Sequence, residues 1–145
     1  MSDWKGHITA GILFSLPIFI LFLYLHRDFN IFISLITIII YSQLPDIDTR
    51  ASQIRWIFTI TTAGIALVSI LFGKSLYAII ALGSLIVVWI MGLIKGFGHR
   101  GFTHSIIAAV LLSALLLFIN IETAVFGLVA YCSHLFLDHK HKVYK

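Results

Sequence analysis

The stretch IFISLITIIIYSQLPDID, residues 31–48, decides the fold class of this chain. Residues 31–44 carry no charge, and their many β-branched side chains would favour a strand in water. In lipid, each backbone N–H and C=O group must be satisfied within its own segment, which favours a helix. The stretch therefore predicts a short membrane helix over Ile31–Leu44. Pro45 disfavours helical geometry at Leu44 and helps to end or kink the helix there.

The composition extends this conclusion to the whole chain. Of the 145 residues, 60% are hydrophobic and 11% are charged, against roughly 25% charged residues in ordinary soluble domains. The mean hydropathy is +1.05. A soluble protein of this size could not cover such a chain with polar surface, so lipid must be the solvent for much of it. We expect one transmembrane helical domain over residues 1–145.

The excess of basic over acidic residues in the chain does not indicate that the protein binds nucleic acid. The isoelectric point is near 9.4, but the Lys and Arg residues are scattered singly between apolar runs and form no basic stripe. We therefore expect membrane lipids, and no nucleic acid, as partners. The single cysteine, Cys132, lies inside an apolar run, so we interpret it as a packing residue.

Apolar runs of this kind occur along the whole chain and predict an all-α, polytopic membrane protein with about six transmembrane helices. Pro17 in the first run, with no small-residue cleavage site after it, argues against a cleavable signal peptide. The predicted spans are Ile8–Leu25, Ile31–Leu44, Trp56–Phe72, Leu76–Ile94, Ser105–Ile119 and Ala124–Leu137.

The loop charges predict the orientation of these spans. Of the ten basic residues, only Arg27 and Lys74 lie on one side of the predicted membrane. The other side carries Lys5, Arg50, Arg55, Lys95, Arg100, Lys140, Lys142 and Lys145. Because short cytoplasmic loops are enriched in Lys and Arg, both termini are predicted to be cytoplasmic, which agrees with an even number of spans.

Seven residues able to bind a metal lie at the cytoplasmic ends of the predicted spans. A His or Asp at a membrane boundary is costly unless it has a partner, so their gathering on one side predicts a single polar site. His139 and His141 continue into a basic tail that we interpret as solvated, and His26 falls on the opposite side and is excluded. The seven candidate metal ligands are His7, Asp46, Asp48, His99, His104, His134 and Asp138.

Two of the motifs offer carboxylates. In LPDID, residues 44–48, Asp46 and Asp48 can ligate a divalent metal, or they can be solvated acids paired with Arg50 or Arg55. In SHLFLD, residues 133–138, the i,i+4 spacing places a His and an Asp on one helix face. That pair suits two ligands of one metal, or a pair that satisfies itself at a helix end.

The motif GHRGFTHS, residues 98–105, combines two histidines with an anion-binding pattern. Thr103 or Ser105 can cap the fifth span, whose N-terminus then offers N–H groups and positive dipole to a phosphate. Arg100 can hold a phosphate or carboxylate through two hydrogen bonds. We therefore assign substrate binding to Arg100, Thr103 and Ser105, the alternative being an ordinary basic loop.

The mixed ligand set predicts the chemistry. His and Asp ligands together suit zinc, manganese or iron better than calcium. Seven ligands exceed the need of one tetrahedral zinc ion, so two ions are expected, with zinc or manganese favoured. Two metal ions commonly activate a water and stabilise the leaving oxygen in phosphoester hydrolysis. Within the set, we assign catalytic roles to Asp48 and His104.

These motifs, in this order after His7, resemble the YdjM-like inner-membrane proteins of bacteria and archaea, a membrane-bound metal-dependent hydrolase family of the LexA-regulated type. The most specific part of the resemblance is GHRGFTHS, and the match spans almost the whole chain. The resemblance implies a multi-pass inner-membrane protein with a metal-dependent hydrolase site facing the cytoplasm. It assigns roles at that site to the same seven residues.

The leading hypothesis is a membrane hydrolase acting on a phosphoester such as a phospholipid headgroup. The first alternative is a non-catalytic, metal-stapled scaffold or a subunit of a larger complex. It is favoured by the small size and by a basic tail ending at Lys145, where family members usually continue. The second alternative is an ion or metal transporter, which should carry polar ligands near the membrane midplane.

Overall fold

A computed structural model describes residues 4–49, 52–91, 93 and 101–143 of the chain. Six α-helices and three short 3-10 helices account for most of these residues, and none of them lies in a strand. The predicted all-α class is therefore confirmed. The helices are α1 Trp4–Tyr24, α2 Ile31–Tyr41, α3 Gln53–Leu71, α4 Ser75–Met91, α5 Ile106–Ala114 and α6 Ile121–Val143, with 3-10 helices at Leu44–Asp48, Phe102–His104 and Leu115–Phe118.

Three of these helices are long and apolar enough to cross a membrane. They cover Trp4–Tyr24, Gln53–Leu71 and Ile121–His139, whereas the apolar segments Ile31–Tyr41, Ser75–Ile90 and Ile106–Phe118 are shorter. A hydrocarbon core of about 30 Å needs roughly 20 helical residues. The presence of membrane-spanning helices is thus supported, while six crossings and cytoplasmic termini stay predictions.

The boundaries of two predicted spans shift for local reasons. The fifth span is helical only over Ile106–Ala114 before it tightens into a 3-10 helix. The sixth helix begins before its predicted start at Ala124, because Asn120 caps it: the backbone N–H of Thr123 donates to Asn120 Oδ1 over 2.7 Å. Glu122 then lies in the first helical turn, where a carboxylate favours the positive end of the helix dipole.

The described chain divides into two compact units. The first comprises Met1–Pro45 and Phe102–Lys145, and the second comprises Asp46–Gly101. The first unit contains α1, α2, α5 and α6, and the second contains α3 and α4. The prediction of a single domain over residues 1–145 stays a prediction.

In the first unit, α6 packs against α1, α2 and α5. An aromatic cluster forms its core at the end away from the candidate ligands, where the Phe126 ring lies 4.5 Å from Phe19 and 5.5 Å from Phe22. Beside this cluster, Arg27 donates from Nε to Glu122 over 2.8 Å and ties the segment between α1 and α2 to the start of α6. These contacts fix the α1, α2 and α6 helices relative to one another at that end.

The helix α5 joins the first unit through small residues and two tyrosines. Ala108 and Ala109 are fully buried against Tyr131 of α6. The hydroxyl of Tyr41 donates to the carbonyl of Leu112 over 2.8 Å, and the hydroxyl of Tyr131 donates to the carbonyl of Thr103. Small residues allow close approach of helices in lipid, and the two hydrogen bonds hold α5 at both ends.

The second unit is a hairpin of α3 and α4. Its buried positions are occupied largely by small residues, among them Ala66, Ala78 and Ala81. Gly73 ends α3 with a φ of +65°, and the N–H of Lys74 donates to the carbonyl of Ser69 over 2.7 Å. A left-handed glycine with this hydrogen bond closes a helix and turns the chain back on itself.

Large apolar side chains cover the outside of both units. Phe32, Phe72 and Phe118 are each more than three-quarters exposed. Soluble proteins rarely expose contiguous apolar surface on this scale. These helices therefore present a lipid-compatible surface, as the composition predicts.

Candidate metal centre

The last turns of α6 carry the first two site residues. His134 and Asp138 lie one turn apart, with His134 Nε2 3.6 Å from Asp138 Oδ2. The predicted i,i+4 pairing on one helix face is confirmed by this distance. The His134 side chain is fully buried and that of Asp138 is 19% exposed, so of these two side chains solvent reaches only that of Asp138.

A backbone carbonyl orients the His134 ring. His134 Nδ1 lies 2.7 Å from the carbonyl oxygen of Ser42, at the end of α2. A carbonyl only accepts hydrogen bonds, so Nδ1 carries the proton and donates it. In a neutral ring the lone pair then lies on Nε2, which faces Asp138. Histidines that ligate metals are typically oriented by such a hydrogen bond from the other ring nitrogen.

His104 reaches the same carboxylate from the 3-10 helix before α5. Its Nε2 lies 3.4 Å from Asp138 Oδ2. Ser105 follows it as the N-cap of α5, accepting from the N–H of Ala108 over 3.1 Å and donating to the carbonyl of Phe102 over 2.7 Å. The predicted capping role of Ser105 is confirmed. The cap fixes where α5 begins, directly after the 3-10 helix that carries His104.

His7 in the first turn of α1 completes the group. Its Nε2 lies 3.7 Å from Asp138 Oδ1, and its ring stacks on His134 with centroids 3.7 Å apart and planes 13° from parallel. Gln43 supports this end of α1 by donating to the carbonyl of Trp4 over 3.0 Å. This stack packs the first turn of α1 against the last turns of α6.

The arrangement fits a divalent cation. Three imidazole Nε2 atoms lie 3.4–3.7 Å from one carboxylate, and the three side chains are at most 5% exposed. Ligand atoms roughly 2.0–2.2 Å from a tetrahedral metal are themselves separated by about 3.3–3.6 Å. The 3.4 Å and 3.6 Å distances from Asp138 Oδ2 to His104 and His134 fall in this range, and the 3.7 Å distance to His7 lies just outside it. His104, His134 and Asp138 therefore suit one metal ion, whereas the His7 ring, stacked nearly parallel on His134, cannot direct its Nε2 lone pair at the same ion.

A family model decides the affiliation of the chain. The model described as YdjM inner membrane protein matches residues 1–142. This chain belongs to the YdjM inner membrane protein family. No curated protein and no solved structure matches it. The family resemblance seen in the motifs is confirmed, and the family description supports a membrane protein.

In this YdjM-family chain, the two carboxylates of LPDID begin the second unit. The Asp48 side chain is buried and its Oδ1 lies 3.4 Å from the hydroxyl of Thr49. Arg55 donates to the main-chain carbonyl of Asp48 over 3.3 Å and lies over the Trp89 ring at 4.6 Å. Metal ligation by Asp46 and Asp48 stays a prediction.

The remaining predicted site residues divide into two groups. His99 and Arg100 lie outside the described residues, so their assigned roles stay predictions. Thr103 is buried, and its hydroxyl lies 3.5 Å from His104 Nδ1. Substrate contact by Thr103 and Ser105 stays a prediction.

Three features of the YdjM-family site are not encoded in its sequence motifs. The carbonyl of Ser42 could not be foreseen, because any residue supplies a carbonyl and only packing aims it. Gln43, next to the LPDID motif, is not a typical metal ligand, so nothing in the motif indicates that it supports the end of α1. Gly11 shares a face of α1 with His7 at i,i+4 spacing. A glycine at that position was a sequence signal that another helix approaches this face of α1 closely.

Proposed function

We propose that this protein is a membrane-embedded, metal-dependent hydrolase that acts on a phosphoester, such as a phospholipid headgroup, at the cytoplasmic interface. The observation that carries the proposal is the convergence of His7, His104 and His134 on the single carboxylate of Asp138. Membership of the YdjM inner membrane protein family supports the membrane location.

Each proposed ligand has a distinct task. His134 presents Nε2 in a fixed direction because the Ser42 carbonyl holds Nδ1. Asp138 supplies the negative charge, and its partial exposure leaves a side from which a substrate can approach. A bound zinc or manganese ion would act as a Lewis acid that activates water and stabilises charge on the leaving oxygen.

Asp46 and Asp48 are proposed to extend the ligand set. Pro45, the last residue of the first unit, is buried, and Asp46 follows it in the sequence. Leu44 packs against the cluster that contains Tyr131. In this proposal Asp46 is a further ligand, Asp48 acts as a general base, and a second ion, if bound, uses both of them with His99.

The proposed substrate follows from the position of the site. Asp138 lies at the end of the candidate span Ile121–His139, which is the depth of lipid headgroups if that helix crosses the membrane. Arg100 is proposed to bind the phosphate together with the N-terminus of α5, where helix N–H groups and dipole favour an anion.

The test combines metal analysis with turnover. Purified protein in detergent is assayed for bound zinc and manganese and for release of headgroup phosphate from a phospholipid panel, with and without chelator. We expect bound metal, chelator-sensitive turnover, and loss of both in His104→Ala. A wild-type protein without bound metal would overturn the metal centre. A metal-loaded protein that hydrolyses no lipid or soluble phosphoester would overturn the hydrolase.

A metal-stapled scaffold is the second candidate, and the burial of the ligands favours it. The His7 and His134 side chains are at most 3% exposed, as expected where a structural ion holds helices together. A Co²⁺-loaded protein distinguishes the two functions. An open coordination position binds added azide or phosphate and changes the visible spectrum, whereas a saturated structural site does not.

A further inference from the structure

The Tyr131 side chain lies on the same face of α6 as the site, three residues before His134. The spacing of Tyr131, His134 and Asp138 is i, i+3, i+7, which stacks the three side chains along one side of a helix. Tyr131 is fully buried, and its hydroxyl donates to the carbonyl of Thr103. Thr103 directly precedes His104, so this hydrogen bond holds the short 3-10 helix, Phe102–His104, that carries the histidine.

The turn depends on this contact because it is short. The 3-10 helix Phe102–His104 has three residues, and the N–H of Ser105 closes it by donating to the carbonyl of Phe102 over 3.1 Å. The Thr103 residue is 2% exposed, so its carbonyl is withdrawn from water and depends on a protein donor. The Tyr131 hydroxyl is such a donor.

We infer that Tyr131 is a positioning residue of the metal centre: its hydroxyl sets the height and direction of His104 relative to Asp138. The inference rests on the proposed metal centre and goes further, because it adds a residue that is not itself a proposed metal ligand. A tyrosine on α6 thereby couples the ligand from the turn to the two ligands that α6 itself carries. Removing the hydroxyl releases the turn and leaves the α6 ligands in place.

Tyr41 offers a matched control. Its hydroxyl also donates to a backbone carbonyl of the same segment, that of Leu112 over 2.8 Å, and its ring lies 6.5 Å from the Tyr131 ring. Leu112 is far along the chain from His104. Tyr41→Phe and Tyr131→Phe therefore each remove one tyrosine–carbonyl hydrogen bond from one aromatic pair, and only the second removes it from a residue that adjoins a candidate ligand. Tyr41 precedes Ser42, but phenylalanine keeps the aromatic ring and the backbone that presents the Ser42 carbonyl to His134.

The experiment measures Co²⁺ and Zn²⁺ affinity by chelator competition, together with the visible Co²⁺ spectrum, in wild type and both variants. We expect Tyr131→Phe to weaken binding by roughly 10- to 100-fold, the usual effect of losing a group that orients a ligand, and to shift the Co²⁺ bands. Tyr41→Phe should leave affinity within about twofold and the spectrum unchanged. Incorporating 4-aminophenylalanine at position 131, which keeps a donor, should restore the wild-type spectrum.

The outcomes separate this inference from the proposed function. A wild type that binds no Co²⁺ overturns the metal centre and the inference with it. A wild type that binds Co²⁺ beside a Tyr131→Phe variant of equal affinity and spectrum overturns the inference alone. If Tyr131→Phe does not fold, 4-fluorophenylalanine replaces tyrosine at either position, since its fluorine nearly fills the space of the hydroxyl but cannot donate a hydrogen bond. An unchanged Co²⁺ spectrum with the substitution at position 131 then overturns the inference.

Discussion

At the scale of single residues, Asp138 is the centre of the site. Its carboxylate lies within 3.7 Å of the imidazoles of His7, His104 and His134. Asp138→Asn keeps the shape of the side chain and removes its charge, so we expect metal affinity to fall at least about 100-fold. The measurement is metal content after dialysis against a weak chelator. Glu122→Gln is the control on the same helix, because Glu122 pairs with Arg27 and should keep full metal content.

Retention of metal by Asp138→Asn would show that the histidines alone hold the ion or that the site lies elsewhere. Loss of metal from both variants would indicate general damage to α6 instead. The comparison is sharp because the two carboxylates lie at opposite ends of one helix, at its first and its late turns.

A second residue-scale prediction concerns His26, which ends α1 with a φ of +50°. The N–H of Arg27 donates to the carbonyl of Phe22 over 2.9 Å, the pattern that normally carries glycine at this position. The left-handed conformation costs an L-residue roughly 1–2 kcal/mol, partly offset by the greater chain entropy of glycine. We expect His26→Gly to raise the unfolding free energy by up to about 1 kcal/mol, as measured by thermal unfolding in detergent, with unchanged metal content. A fall in stability would contradict this account of the turn.

At the scale of helices, the site depends on how closely α1 approaches the end of α2. A Cβ on Gly11 would lie 2.9 Å from Ser42 Cβ, so one of the two helices must shift. Ser42 is the residue whose carbonyl orients His134. We expect Gly11→Ala to destabilise the protein by about 1–3 kcal/mol and to weaken metal binding.

The control for this prediction is Gly64→Ala in α3. A Cβ there meets nothing within 4 Å, and alanine is the better helix former by up to about 1 kcal/mol. For Gly64→Ala, the stability measured by thermal unfolding should therefore rise slightly or stay the same, and the metal affinity measured by chelator competition should not change. Equal losses in both variants would mean that any added methyl group disturbs the fold and that the α1–α2 approach has no special role.

Helices were predictable where the apolar pattern was continuous. The first four predicted spans coincide with α1 to α4 to within a few residues, because charged or turn-forming residues bracket them. The pattern was less informative at α5 and α6. Leu115–Phe118 is as apolar as α5 before it, yet it forms a 3-10 helix. Glu122 is a charged residue that the pattern assigns to a loop, but it lies in the first turn of α6 and pairs with Arg27.

At the scale of the whole molecule, the predicted topology has a direct test. In a Cys132→Ser background, single cysteines are introduced as Lys74→Cys and Lys142→Cys. Positive charges favour the cytoplasmic side, so Lys74→Cys should react with a membrane-impermeant maleimide in intact cells and Lys142→Cys only after permeabilisation. Equal labelling of both from outside would contradict cytoplasmic termini and an even number of spans.

The sequence by itself determined the helical class, the need for lipid, and the candidate residues of the proposed metal centre, including the one-turn spacing of His134 and Asp138. These properties are local, since they follow from hydropathy and from the 3.6-residue period of a helix. Only the tertiary structure decided that His7, His104 and His134 meet at one carboxylate, that the Ser42 carbonyl orients His134, and that Tyr131 holds the turn before His104. Those distances depend on how closely separate helices pack, which small residues such as Gly11 and Ala108 permit and no motif spacing encodes.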